Sequence, residues 1–93
     1  MPGTYEGNRE PRGYEKVTGL SIAKALTVPA RAKFATLKTE TQPVRYKDDG
    51  NAPTGTDGIL VDIGDEVWYT GKLSRLQFIE TAVSATLHVS YYA

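Results

Sequence analysis

The sequence predicts an all-β fold: a small β-sandwich or barrel of about seven short antiparallel strands, preceded by an extended N-terminal arm. Three observations carry this. Residues 85–92 alternate cleanly, with Leu87, Val89 and Tyr91 on one side and Thr86, His88, Ser90 and Tyr92 on the other, the period of a half-buried strand. Turn residues recur at short, regular intervals, as at Asp49-Gly50, Gly64-Asp65 and Gly71, where glycine accepts positive φ and aspartate bonds its own backbone. The intervening runs are short and rich in Val, Ile, Thr, Tyr and Phe, the composition of pleated sheet.

Residues 1–17 stand apart as the arm. Gly3, Gly7 and Gly13, Pro2 and Pro11, and charges of both signs leave Tyr5, Tyr14 and Val17 as the sizeable apolar anchors. Such a segment buries too little to offset its ordering entropy alone. It is expected to be extended, either idle or ordered on a partner through Tyr5 and Tyr14, with Arg9 and Arg12 beside them. The sandwich domain is expected over 18–93. Leu20, Ile22, Leu26 and Val28 share one parity. Residues 32–38 fit helix or strand, and Thr36, Thr39 and Thr41, with no N-cap ahead of them, favour strand. Val44-Arg45-Tyr46 is a short strand leading into a long loop through Gly58. Ile59, Val61 and Ile63 form the next strand, and Gly64-Asp65 is expected to turn it into a hairpin with residues 66–70. Residues 74–80 form a strand with Leu76 and Phe78 inward, and 82–84 form the turn before the last strand.

Composition bounds the function. Ninety-three residues make one domain, and 11 basic against 11 acidic residues give a formal net charge of zero. No basic excess exists to grip nucleic acid or an anionic membrane. No apolar run is long enough for a spanning helix, and the first residues lack the apolar stretch of a secretory leader. With no cysteine, neither disulfides nor zinc–thiolate sites reinforce a core that is small for its surface. Oligomerisation or docking on a larger partner is the remaining source of stability.

No catalytic constellation emerges. Asp48, Asp49, Asn51 and Asp57 raise calcium, but the carboxylates are adjacent and Gly50 falls too early for an EF-hand loop, and turn chemistry accounts for them. His88, the one histidine, has no oriented partner in the sequence and reads as a structural or interface residue on the outer face. No serine sits in a nucleophile elbow. Asp62, Asp65, Glu66 and Glu80 offer carboxylates for a glycosidase pair, yet short strands leave little cleft. The expectation is a protein that is not an enzyme and holds neither metal nor cofactor. Aromatic residues remain. Trp68 and Tyr69 point to opposite faces of one strand, and Tyr91 and Tyr92 do so at the C-terminus, so each pair exposes a ring for a protein interface or a sugar. Trp68, Tyr91 and Tyr92 join Tyr5, Arg9, Arg12 and Tyr14 as candidate partner-binding residues.

Leu26-Thr27-Val28-Pro29-Ala30, the run Val44-Arg45-Tyr46-Lys47-Asp48-Asp49-Gly50-Asn51-Ala52-Pro53-Thr54, Phe78-Ile79 and the closing Leu87-His88-Val89-Ser90-Tyr91-Tyr92 together resemble small virion structural proteins of tailed bacteriophages. The likeness spans residues 18–93 and does not extend to the arm. It implies a non-enzymatic β-sandwich or jelly-roll that decorates or cements a capsid within the virion. The implied partners are other copies of itself, typically in a trimer, and the major capsid protein or another virion protein. A carbohydrate-binding or tail-associated adhesion module, with Trp68 or Tyr92 as the stacking platform, is the alternative expectation.

Overall fold

A computed structural model describes residues 10–93. Eight strands run in order: β1 (Pro11–Val17), β2 (Lys24–Ala25), β3 (Phe34–Glu40), β4 (Val44–Lys47), β5 (Ile59–Val61), β6 (Val67–Tyr69), β7 (Gln77–Glu80) and β8 (Thr86–Tyr92). They form two four-stranded sheets, β1-β8-β3-β6 and β2-β7-β4-β5, and every pairing within them is antiparallel.

The order follows a simple rule. The first half of the chain pairs with the second half in reverse: β1 with β8, β2 with β7, β3 with β6, β4 with β5. This long ribbon is then wrapped so that β3 also meets β8 and β4 also meets β7. A ribbon folded over in this way is a jelly-roll, a two-sheet sandwich of eight strands.

The core lies between the sheets. Leu37 from β3 and Leu87, Val89 and Tyr91 from β8 face Val44 and Tyr46 from β4, Val61 from β5 and Phe78 from β7, with Leu20, Leu73 and Leu76 closing the ends. In β8 the buried and partly exposed positions alternate without exception. Thr39 is buried as well, and its hydroxyl donates to the Gln42 carbonyl at 2.6 Å, so the tight crossing from β3 to β4 leaves no hydroxyl unsatisfied.

Several expectations change in three dimensions. The segment 11–17, read as part of an arm, is β1, paired with β8 from Pro11↔Tyr92 to Val17↔Leu87 through a register shift between Pro11 and Gly13. Its composition is that of an edge strand, with proline, a bulge and charged residues at the sheet margin. Tyr5 and Arg9 lie outside the described residues. Ile22 is exposed, whereas Leu20 is buried, because 18–28 is mostly loop and carries only the two-residue β2. The hairpin expected from Gly64-Asp65 is a crossing instead: β5 belongs to one sheet and β6 to the other. The turn itself forms, with the Asp65 amide donating to the Asp62 carbonyl at 3.1 Å and Gly64 at φ +94°, but Val61 and Val67 enter the core from opposite layers. Residues 73–75 form a 3₁₀ turn ahead of β7, and both Leu76 and Phe78 point inward as expected.

Leu37 sits on a strand paired along both edges and has no exposed surface. Leu37→Ala is expected to lower unfolding free energy by roughly 2–5 kcal/mol, whereas Val83→Ala, at an exposed turn, is expected to stay within about 0.5 kcal/mol. Urea titration of both variants checks the contrast.

Candidate functional site

The outer face of the sheet β1-β8-β3-β6 gathers three of the seven predicted partner-binding residues, Tyr14, Trp68 and Tyr92. Strand alternation turns Tyr14 and Lys16 of β1, His88, Ser90 and Tyr92 of β8, Phe34, Thr36, Lys38 and Glu40 of β3, and Trp68 of β6 to this side. The register sets Phe34 opposite Tyr92, Thr36 between Ser90 and Trp68, and Lys38 opposite His88.

Two clusters form there. At one end Phe34, Trp68 and Tyr92 are mutually stacked. Ring centroids lie 5.6 Å apart for Phe34–Tyr92, 6.0 Å for Phe34–Trp68 and 6.0 Å for Trp68–Tyr92, with interplanar angles of 20°, 28° and 21°. Offset aromatic pairs of this kind contribute about 0.5–1.5 kcal/mol each beyond their buried area. Trp68 keeps 45% of its surface exposed, while Thr36 beside it keeps only 7% although it lies on the outer side. Toward the other end a hydrogen-bonded chain crosses three strands. The Tyr14 hydroxyl lies 2.6 Å from His88 Nδ1, and His88 Nε2 lies 2.6 Å from Glu40 Oε1. A carboxylate only accepts, so in the neutral imidazole Nε2–H donates to Glu40 and Nδ1 accepts a hydrogen bond from the Tyr14 hydroxyl. The Tyr14 and His88 rings also stack, 6.0 Å apart.

Tyr14, Trp68 and Tyr92 therefore share one face. Arg12 lies at the register shift of β1, paired with Glu10 at 2.8 Å. Tyr91 is a correction. It is 1% exposed because its parity joins it to Leu87 and Val89, and its hydroxyl donates to the Glu15 carboxylate at 2.7 Å. Glu15 also accepts the Thr27 amide at 3.0 Å, so this phenol is a core residue with a satisfied tip. His88 lies on the outer side, as its neighbours in the sequence predict. Phe34 and Glu40 went unrecognised as members of the site, since their partners are set by the β3–β8 register, which the sequence does not state.

The other candidate groups are dispersed. Asp48 accepts the Tyr69 hydroxyl at 2.6 Å, Asp49 accepts the Asn51 amide at 3.0 Å and Asp57 pairs with Lys47 at 2.8 Å. Among the described residues no group of three acidic or histidine side chains is placed to hold a metal ion. Arg45 is occupied by the Gly55 and Gly58 carbonyls at 3.2 and 2.8 Å, so it organises the long loop, in the sheet opposite to that of Trp68. Asp62 and Asp65 cap their own turn. A cavity of about 360 Å³ opens at the end of the sandwich between Thr18, Ser21, Glu80 and Thr86, and the Glu80 carboxylate there accepts the Ala85 amide at 3.1 Å. Of the candidate carboxylates it holds Glu80 alone, and it holds none of the candidate partner-binding residues.

Comparison with protein-family models, with curated proteins and with solved structures returns no match. The arrangement itself is an outer sheet face with an aromatic cluster at one end and a Tyr14–His88–Glu40 chain toward the other.

Burial raises three tyrosines, Tyr46, Tyr69 and Tyr91, above their ordinary range. Loss of water, and then the hydrogen bond to Glu15, push Tyr91 far up. Tyr69 is pushed up to about 12, by loss of water first and by Asp48 second. The unfolded chain releases these protons near the ordinary tyrosine value of 10.0, while the folded chain holds them. Above that pH the unfolded state binds fewer protons, so stability falls with rising pH. Thermal melts are expected to be flat in this respect up to about pH 10 and to decline toward pH 12, with a shallower decline for Tyr91→Phe.

Proposed function

We propose that this chain is a non-enzymatic structural protein of a tailed-bacteriophage virion, which decorates or cements the capsid as an oligomer. The observation that carries the proposal is the stacked cluster Phe34–Trp68–Tyr92 on the outer side of a sheet. Outward positions of a free-standing antiparallel sheet are commonly polar, because water is their neighbour. Rings held in mutual register on the outer side of a sheet suit a second protein surface, whereas small substrates are taken by concave sites. The likeness of residues 18–93 to small phage virion proteins supplies the setting, and Tyr5 and Arg9, ahead of β1, are assigned to the same contact. β1 itself is part of the sandwich, so an arm ordered on a partner is confined to the residues before it.

One observation favours a second reading. Trp68 is half exposed beside Tyr92, with the Ser90 hydroxyl on the same face in the cross-strand row of Trp68 and Thr36, a combination of ring face and hydrogen-bonding group that also suits a sugar. Jelly-rolls serve as both capsid and lectin domains, so fold alone does not choose between them.

Pelleting with assembled particles separates the two. With no net charge, exposed ion pairs contribute about 0–1 kcal/mol and are screened by salt, whereas burying a tyrosine or tryptophan contributes on the order of 2–3 kcal/mol and is not. The protein is expected to stay on particles in high salt, and Trp68→Ala or Tyr92→Ala is expected to release it more readily than charge reversal at Arg12. Release of the wild type by moderate salt, with the aromatic variants still bound, defeats the aromatic contact. Saturable oligosaccharide binding lost in Trp68→Ala, without particle binding, establishes the second reading instead.

A further inference from the structure

The two sheets have four margins, and their chemistry differs. β1 carries Pro11, a register shift and the charges of Arg12, Glu15 and Lys16. β2 is two residues long and begins with Lys24. β6 places its outward residue, Trp68, in the ring stack. Proline, bulge, lysine and brevity are usual protections of an edge strand, and β6, which has only brevity among them, also packs its exposed ring into the stack. β5 shares only the brevity. Its sequence is Ile59-Leu60-Val61, with neither proline nor charge. Ile59 shares the inward parity of Val61, yet it is 56% exposed where Val61 is 0%. Leu60, on the outer side, is 45% exposed, and Ile63 in the following turn is 53% exposed. The sandwich is thus open along this flank, with apolar residues on both sides of a terminal strand.

We propose that β5 is a self-association edge: two copies pair their β5 strands antiparallel about Leu60 and join their sheets into one continuous eight-stranded sheet. The occupant is a second copy because the strand is complementary to itself in one register. A two-fold axis perpendicular to the sheet requires facing residues of equal parity, so the candidate centres are whole residues. Centred on Leu60, the three strand residues meet only apolar partners: Leu60 faces Leu60, and Ile59 faces Val61 of the second copy. Centring on Val61 sets Leu60 against Asp62, an apolar side chain against a carboxylate. Centring on Ile59 sets Leu60 against Gly58 and Val61 against Asp57, outside an apolar contact. Zero net charge also leaves no long-range repulsion between copies. The contact is isologous and two-fold, unlike the three-fold arrangement that the phage resemblance implies, and it does not depend on the proposed virion role.

The absence of cysteine makes the register directly testable on the purified protein. In this pairing Leu60 faces its own copy at a Cα separation of about 4.5–5.5 Å, within disulfide reach, whereas Ile63 lies in the turn beyond the strand, three residues from the two-fold axis, and does not face its copy. Leu60→Cys is expected to form a disulfide-linked dimer under mild oxidation at least roughly tenfold faster than Ile63→Cys, which is similarly exposed. Sedimentation of the wild type is expected to show a concentration-dependent dimer that Leu60→Lys abolishes with the circular dichroism unchanged. Equal cross-linking of the two cysteine variants, or none in Leu60→Cys, overturns the proposal. So does a wild type that stays monomeric at millimolar concentration while Leu60→Lys weakens attachment to particles, which transfers the edge to a strand of another protein.

Discussion

Strand β8 is the constraint on which the rest depends. It is paired along both edges, to β1 on one side and β3 on the other, and it supplies Leu87, Val89 and Tyr91 to the core. Its opposite side supplies His88 and Tyr92 to the outer face. Core and candidate site are thus two faces of one pleated ribbon, one residue apart in sequence. A slip of one position in either pairing would exchange them. The phenol of Tyr91 resists such a slip, because its hydroxyl reaches Glu15 on β1 and ties the inner face to the register of the neighbouring strand.

What the sequence made legible follows from which interactions are local. Alternation in residues 86–92 is a property of the strand itself, and it already placed Tyr91 with Leu87 and Val89, against the assignment of Tyr91 to an interface. The turns at Asp49-Gly50 and Gly64-Asp65 were legible for the same reason, since their φ requirements and side-chain caps lie within a few residues. The destination of the chain after a turn was not. Ile59-Leu60-Val61 reads as a strand whether it forms a hairpin with 67–69 or crosses to the other sheet, and only the opposite layer decides. β1 was the hardest element to see. Glycine, proline and mixed charge make it a poor strand alone, and it becomes one because the free edge of β8 offers it a full set of backbone partners.

The candidate site was legible as residue types and not as a place. Trp68, Tyr92 and Tyr14 come from β6, β8 and β1, and what unites them is the order β1-β8-β3-β6. Phe34 and Glu40 complete the two clusters from β3, the strand that separates β8 from β6. Their side chains carry no motif, and their role exists only once Phe34 faces Tyr92 across the ladder.

The pairing of Glu10 with Ala93, by backbone hydrogen bonds of 3.0 and 2.9 Å, has a consequence for how the molecule is made. The ribbon zips the first strand to the last, so a chain emerging from the ribosome holds β1 without a partner until β8 follows it out. β3 meanwhile has only the three-residue β6 to pair with. Neither sheet can close early, and loop-closure entropy is met across nearly the whole described length before its longest ladder forms. The sheet β1-β8-β3-β6 is therefore complete only once β8 has entered between β1 and β3.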